Sequence, residues 1–179
     1  VLSLRQNVSE PSVKVTLYQA LPKVGKFETI VQKSVELGVT EIIPMLTSRC
    51  VSRPDDSSQK KKEERYQKVA HEAAKQSGRG IVPVVGHLME FSAVLKELIN
   101  YDVAILFYEE GGKRVNEILS ENAKEVAILI GSEGGFSASE VEEAAHAGAV
   151  IGTLGPRILR CETAPISALT ILMYESKNM

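Results

Sequence analysis

The chain is 179 residues long and 44% apolar, enough for one well-packed domain and too short for two of ordinary size. No apolar run approaches the roughly 20 residues of a membrane span, no basic-then-apolar leader stands out, and Cys50 and Cys161 lie far apart without a CxxC partner, which argues against a disulfide framework and a structural zinc site. The net charge of -2 hides an asymmetry: residues 1–100 carry 15 Lys and Arg against 11 Asp and Glu, whereas residues 101–179 carry 6 against 12.

The first half is thus basic and is the part a polyanion would meet. A reducing setting fits the cysteines, so the expected location is the cytoplasm or, in a eukaryote, an organelle matrix. The chain starts at Val1, and the stretch through Pro11 has no strong periodicity. Residues 1–19 are expected to hold a remnant or linker of a preceding domain plus the first strand, with the main domain over residues 20–179.

Apolar runs of strand length recur at 13–17, 41–44, 81–85, 103–107, 126–130 and 149–154. Helical patterns lie between them. Residues 26–37 set Phe27, Ile30, Val31 and Val35 on one stripe, with Gly38 as a natural stop. The loop at 52–59 is the least regular. Residues 57–77 turn Tyr66, Val69, Ala70, Ala73 and Ala74 inward, and their run of Lys60, Lys61, Lys62, Glu63, Glu64 and Arg65 reads as a solvated face. Shorter helices fit 91–99 and 113–120. At Ser137 a capping box with Glu140 opens a further helix, with Phe136 and Val141 placed as a staple. Strands apolar along their whole length, alternating with helices, predict an α/β fold with a parallel sheet covered on both faces. The last helix, 163–174, has almost no polar face, since Ile166, Ala168, Leu169, Ile171, Leu172 and Met173 crowd it. It is expected to be buried all round, either plugging the core or packing against a second copy, and the homodimer is the preferred reading.

Three segments stand at the carboxyl ends of the last three strands: 108–112, 131–135 and 155–163. Ligands of open α/β sheets bind at that edge. In the middle segment, Gly131, Ser132, Glu133, Gly134 and Gly135 join a strand to the capped helix, and the glycines let backbone approach a ligand without an intervening Cβ. The Lys-Ser/Thr ending of a P-loop and the spacing of a dinucleotide fingerprint are both absent. Glu109, Glu110, Glu133 and Glu162 would repel a polyphosphate and tolerate a sulfonium cation. Tight turns with solvated acids explain any one of these loops equally well; the inference rests on the set. His71, His87 and His146 lack metal-ligand spacing and read as ordinary surface or boundary residues, so no metal is expected.

Taken in order, Glu36-Leu37-Gly38-Val39, Glu72-Ala73-Ala74 with Gln76-Ser77-Gly78-Arg79, residues 130–136, and Leu154-Gly155-Pro156-Arg157-Ile158-Leu159-Arg160 followed by Glu162-Thr163-Ala164 resemble the ribosomal RNA small subunit methyltransferase E family of the SPOUT superfamily. The resemblance covers roughly residues 20–175. It implies a C-terminal trefoil knot, a homodimer through the C-terminal helix, S-adenosylmethionine bound in a bent shape, and methylation of N3 of a uridine in small-subunit ribosomal RNA. It also implies a barrel-like N-terminal RNA-binding domain that is largely missing from this chain. Two departures are Ser132, where the family usually has Pro and where backbone freedom is expected to rise, and Cys161, where Thr is common.

On that resemblance Leu106, Phe107, Gly131, Glu133, Gly134, Gly135, Leu154, Gly155, Ile158, Leu159 and Thr163 are assigned to the cofactor. Arg160 is assigned to the charge that develops on the uracil oxygens. Glu162 is expected to accept the proton or to orient Arg160, with a cap on the last helix as the competing role. Lys33, Glu36, Gln76 and Arg79 are candidate RNA contacts, against a buried helix-end cap for Gln76 and a surface ion pair for Arg79. Other readings are a noncatalytic RNA-binding or assembly module of the same fold, a methyltransferase of another RNA, and, more weakly, a phosphate-binding hydrolase.

Overall fold

The structure, a computed structural model, describes residues 9–23 and 25–179, apart from the side chains of Asp56 and Ser57. The part of the expected N-terminal remnant that falls on residues 1–8 lies outside the described residues. In chain order the elements are β1 (Lys14–Ala20), α1 (Phe27–Glu36), β2 (Glu41–Leu46), α2 (Asp56–Gln76), β3 (Val84–Val85), β4 (Met89–Glu90), α3 (Phe91–Glu97), β5 (Val103–Phe107), α4 (Val115–Ile118), β6 (Glu125–Ile130), α5 (Ala138–His146), β7 (Val150–Gly152) and α6 (Thr163–Glu175). A single 3-10 turn, Leu98–Asn100, extends α3.

The strands form one parallel sheet in the order β3-β2-β1-β6-β5-β7, with β4 also pairing with β2. Register places Ile42, Leu17, Ile128 and Ile105 side by side across four strands, and each is 0% exposed. This row explains why the strands read as continuous apolar runs: both faces of the sheet are covered, so alternation has nothing to separate. Parallel crossovers are right-handed. Steps in one direction along the sheet carry α1, α2 and α4, and the opposite steps carry α3 and α5, so the two groups fall on opposite faces. α1 packs on α2, with the Phe27 and Tyr66 rings 4.5 Å apart, and α6 packs against α1, α4 and β6.

Most expected elements are present, with differences that have local causes. The run at 81–85 is paired only over Val84–Val85, at the sheet's edge, and β4 was not foreseen because two residues carry no period. The irregular stretch at 52–59 contains a helix start, where Asp55 accepts a hydrogen bond from Ser58 N at 2.8 Å. α6 departs from the all-round burial expected of it: Leu169 and Leu172 are fully buried, but Ile171 is 37% and Tyr174 69% exposed. Its inner face comes close to the end of α1 because residue 38 is glycine; a Cβ there would stand 3.3 Å from Met173 Cε, and the φ of +92° suits glycine independently.

Candidate active site

Strands β6, β5 and β7 are neighbours, so the loops leaving their carboxyl ends meet at one edge of the sheet. The loop after β5 lies against β7: Tyr108 N donates to Gly152 O and Lys113 N to Ile151 O, both at 3.0 Å. Gly112 makes that approach feasible, since a Cβ on it would lie 2.6 Å from Ile151 O. The turn after β6 closes on itself through a 3.0 Å hydrogen bond from Gly135 N to Ser132 O. A Cβ on Gly131 would stand 2.9 Å from Gly135 Cα, which explains the glycine there.

This turn is fixed by three hydrogen bonds to two residues, Arg49 and Gln19. Arg49 donates to Gly134 O at 2.8 Å, Ser132 Oγ donates to Arg49 O at 3.4 Å, and Gln19 Nε2 donates to Gly131 O at 3.2 Å. Ser132 is 7% exposed, so the backbone freedom expected of a serine at that position is taken up by these contacts. Beyond the turn, the expected capping box is formed, with Glu140 Oε2 accepting from Ser137 N at 2.8 Å and Ser137 Oγ accepting from Glu140 N. Glu140 also accepts from Ser48 N at 2.7 Å, tying the β2–α2 loop to the same corner. Burial pushes the Glu140 pKa up, but the hydrogen bonds from Ser48 and Ser137 prevail and hold it below its ordinary value.

Between the three loops lies a cleft of about 260 Å³. Among the residues assigned to the cofactor, Phe107, Gly131, Glu133, Gly134, Gly135, Leu154, Gly155, Ile158 and Leu159 line it. Leu106 and Thr163 do not. Leu106 neighbours Phe107 on a strand and so faces the opposite way, into the core at 0% exposure. Thr163 is exposed at the start of α6 and gives its N–H to Arg160 O at 2.8 Å. Tyr108, Glu109, Arg157 and Cys161 also line the cleft without having been assigned to it; the first two belong to the segment at 108–112 and the others to the segment at 155–163, both of which the sequence singles out.

One residue outside those expectations organises the charge here. Lys26, just before α1, puts Nζ 3.1 Å from Glu133 Oε1 and 3.1 Å from Glu162 Oε2. The Glu162 and Glu133 carboxylates together raise the lysine's pKa above its ordinary value. Glu133 further accepts from Lys23 N at 3.1 Å, and Cys161 Sγ donates to Glu162 Oε2 at 3.1 Å. Burial, with the adjoining Glu162, pushes the Cys161 thiol up to about 12, so it stands as a neutral thiol at pH 7. The hydrogen bond from Cys161 and the contact with Lys26 lower the pKa of Glu162. Among the described residues no hydrogen bond or ion pair joins Glu162 to Arg160, and Glu162 makes no side-chain hydrogen bond as a cap of α6.

Arg160 is exposed, between the lining residues Leu159 and Cys161, and its guanidinium has no hydrogen bond or ion pair among the described residues. Lys33 and Glu36 pair with each other on α1 at 2.9 Å, and Gln76 is exposed near the end of α2 rather than buried as a cap. Arg79 departs from its expected role as an RNA contact, and from the competing surface ion pair. Its side chain is 4% exposed, with the guanidinium donating to Val35 O, Val39 O and the Glu10 carboxylate, the last at 2.8 Å. His71, His87 and His146 lie apart and exposed to solvent, and no group of three His, Cys, Asp or Glu able to hold a metal occurs among the described residues. No helix among the described residues is long and apolar enough to cross a membrane.

The sheet edge with its glycine turn and acidic cleft defines a class: residues 9–173 match the family model described as RNA methyltransferase domain. Ribosomal RNA small subunit methyltransferase E of Bacillus subtilis is 40% identical over 175 residues, covering 94% of this chain and 68% of that protein. The protein of the same name from Mesomycoplasma hyopneumoniae is 36% identical over 162 residues, covering 90% and 70%. Among solved structures, a methyltransferase from Legionella pneumophila in complex with S-adenosylmethionine is similar with a TM-score of 0.88 at 32% identity, covering 92% of this chain and 67% of that one. A ribosomal RNA small subunit methyltransferase E from Neisseria gonorrhoeae bound to S-adenosylmethionine gives 0.86 at 30% identity, with the same coverage. The chain belongs to the ribosomal RNA small subunit methyltransferase E family.

Proposed function

We propose that this chain binds S-adenosylmethionine in the cleft between its three carboxyl-edge loops and directs the methyl group to N3 of a uridine in small-subunit ribosomal RNA. The coarser part, an S-adenosylmethionine-dependent methyltransferase of that RNA, goes with the family to which the chain belongs. The observation that carries the reading is the cleft itself. Phe107, Leu154 and Leu159 offer apolar surface for an adenine, the glycine turn offers backbone edges, and Glu109 and Glu133 stand where a sulfonium is favoured and a polyphosphate is repelled. The residues present therefore fit the cofactor, which supplies an electrophilic methyl group when bound.

The rest of the chemistry falls on the chain. In-line displacement needs nucleophile and methyl carbon held at near-attack distance, and the pinned turn at 131–135 provides a rigid wall for that. The uracil nitrogen must also lose its proton, and the charge then spreads onto the flanking oxygens. Arg160 supports this step because, among the described residues, its exposed guanidinium has no hydrogen-bond or ion-pair partner beside the cleft. Glu162, held ionised with a lowered pKa, suits an anchoring role better than that of a proton acceptor tuned to neutral pH.

The same reading puts RNA on the surface carrying Lys33, Glu36 and Gln76, and a second copy of the chain on α6, where Ile171 and Tyr174 remain exposed. It includes the trefoil crossing, with the segment that leads into α6 running past the loop after β5, to which it is bonded through Thr153 N and Lys113 O. The setting is the cytoplasm. The test is to incubate the protein with labelled cofactor and undermethylated small-subunit RNA or particles and map the modified base. Label at uridine N3 is expected; label in ribose or in transfer RNA contradicts the target.

A further inference from the structure

We propose that Lys26 is a positioning residue for the cofactor cleft: its ammonium clamps the glycine turn after β6 to the segment that enters α6, and so sets the spacing of the cleft's two walls. The inference rests on the reading of this cleft as the S-adenosylmethionine site. Lys26 does not line the cleft, but two of its partners do or adjoin residues that do. Glu133 belongs to the turn and lines the cavity, and Glu162 follows Cys161, which lines it from the other side. Lys26 Nζ also lies 3.7 Å from Cys161 Sγ. One ammonium thus reaches both walls.

The clamp has a fixed base. Lys26 O accepts the first intrahelical bond of α1, from Ile30 N at 3.1 Å, and the next residue, Phe27, is 2% exposed against Tyr66. Lys23 N holds the Glu133 carboxylate from the same segment. An isolated surface pair contributes little, because solvent screens it and two long side chains must be ordered. Here the side chains of Lys26, Glu133 and Glu162 are 30%, 25% and 33% exposed, and one cation is shared by two carboxylates from loops that are distant in sequence. Without the ammonium, those carboxylates would face each other unneutralised and push the walls apart.

Calorimetric titration with S-adenosylmethionine tests this in wild-type protein and in Lys26→Met and Lys26→Arg, at low and at high salt. At low salt Lys26→Met is expected to bind about 10-fold more weakly, with the deficit shrinking at high salt as the repulsion is screened. Lys26→Arg keeps the charge and is expected to restore most of the affinity. Lys26→Gln serves the same comparison where methionine prevents folding. Equal affinity of the uncharged variant and wild type overturns the proposal, and so does a loss that neither salt nor arginine repairs, which marks a packing role. A folded wild-type chain that fails to bind contradicts the cofactor reading itself, a different result from a variant that binds as wild type does.

Discussion

Glu109 and Gly135 meet across the cleft so closely that a Cβ on Gly135 would stand 2.6 Å from Glu109 Oε1. Gly135 also has φ +65°, the left-handed region that costs an L-residue about 1–2 kcal/mol. Gly135→Ala must therefore strain the turn and displace a carboxylate that lines the cavity. The expected result is a folded protein whose melting temperature is lowered by the strained turn, with S-adenosylmethionine binding weakened by about 10-fold because the Glu109 carboxylate is moved from the cavity wall. Unchanged affinity by calorimetry would remove the Glu109–Gly135 contact from the account.

Arg160 separates binding from chemistry. Its exposed guanidinium makes no hydrogen bond or ion pair among the described residues, so Arg160→Ala should keep the circular dichroism spectrum and the cofactor affinity. Turnover on RNA should fall by about 100-fold or more, the usual loss when one stabiliser of developing negative charge is removed. Equal turnover of variant and wild type removes Arg160 from the mechanism.

Arg79 does the opposite. Removing it leaves the Glu10 carboxylate, 19% exposed, without its cation and takes a donor from two backbone carbonyls, of which Val35 O keeps its hydrogen bond from Gly38 N. Arg79→Met is expected to destabilise the fold by about 3 kcal/mol in urea denaturation. The RNA affinity of the molecules that remain folded should match wild type; a selective loss of RNA binding at full stability would return Arg79 to the RNA surface.

The capping corner at Glu140 gives a pH dependence. Burial raises its pKa, yet the hydrogen bonds from Ser48 and Ser137 leave the folded value below the ordinary 4.5. Folding thus favours the carboxylate, and the unfolded chain binds the proton more readily. The stability this group contributes is complete above about pH 4.5 and drains away as pH falls through its lower folded value. Urea midpoints measured from neutral pH into this acid range should fall for wild type. Glu140→Gln should be less stable at pH 7 with a shallower acid decline, and a decline as steep as that of wild type would exclude Glu140 as a contributor.

The sequence made plain whatever depends on near neighbours. The Ser137–Glu140 box spans three positions, and the stripe of Phe27, Ile30, Val31 and Val35 needs only helical spacing, so both are visible without tertiary knowledge. The glycines of the turn at 131–135 are legible for the same reason, because close backbone approach demands the residue type itself. Arg79 is given to the RNA by the resemblance alone, and its partners Glu10 and Val39 come from far along the chain, where no local pattern reveals them. Lys26 carried no signal at all: its carboxylates stand more than a hundred positions away and come to it only because β1 pairs with β6 and the segment before α6 returns to the same sheet edge. Leu106 and Phe107 show a smaller error, in which a strand's alternation was passed over when both were given to the cofactor.

The most direct measurement is a crystal structure of this chain grown with S-adenosylmethionine. Density for the cofactor is expected among Tyr108, the turn at 131–135 and the stretch at 154–161, with Lys26 still bridging Glu133 and Glu162. Cofactor density elsewhere on the molecule, or a saturated crystal with this cleft filled by solvent, would contradict this placement.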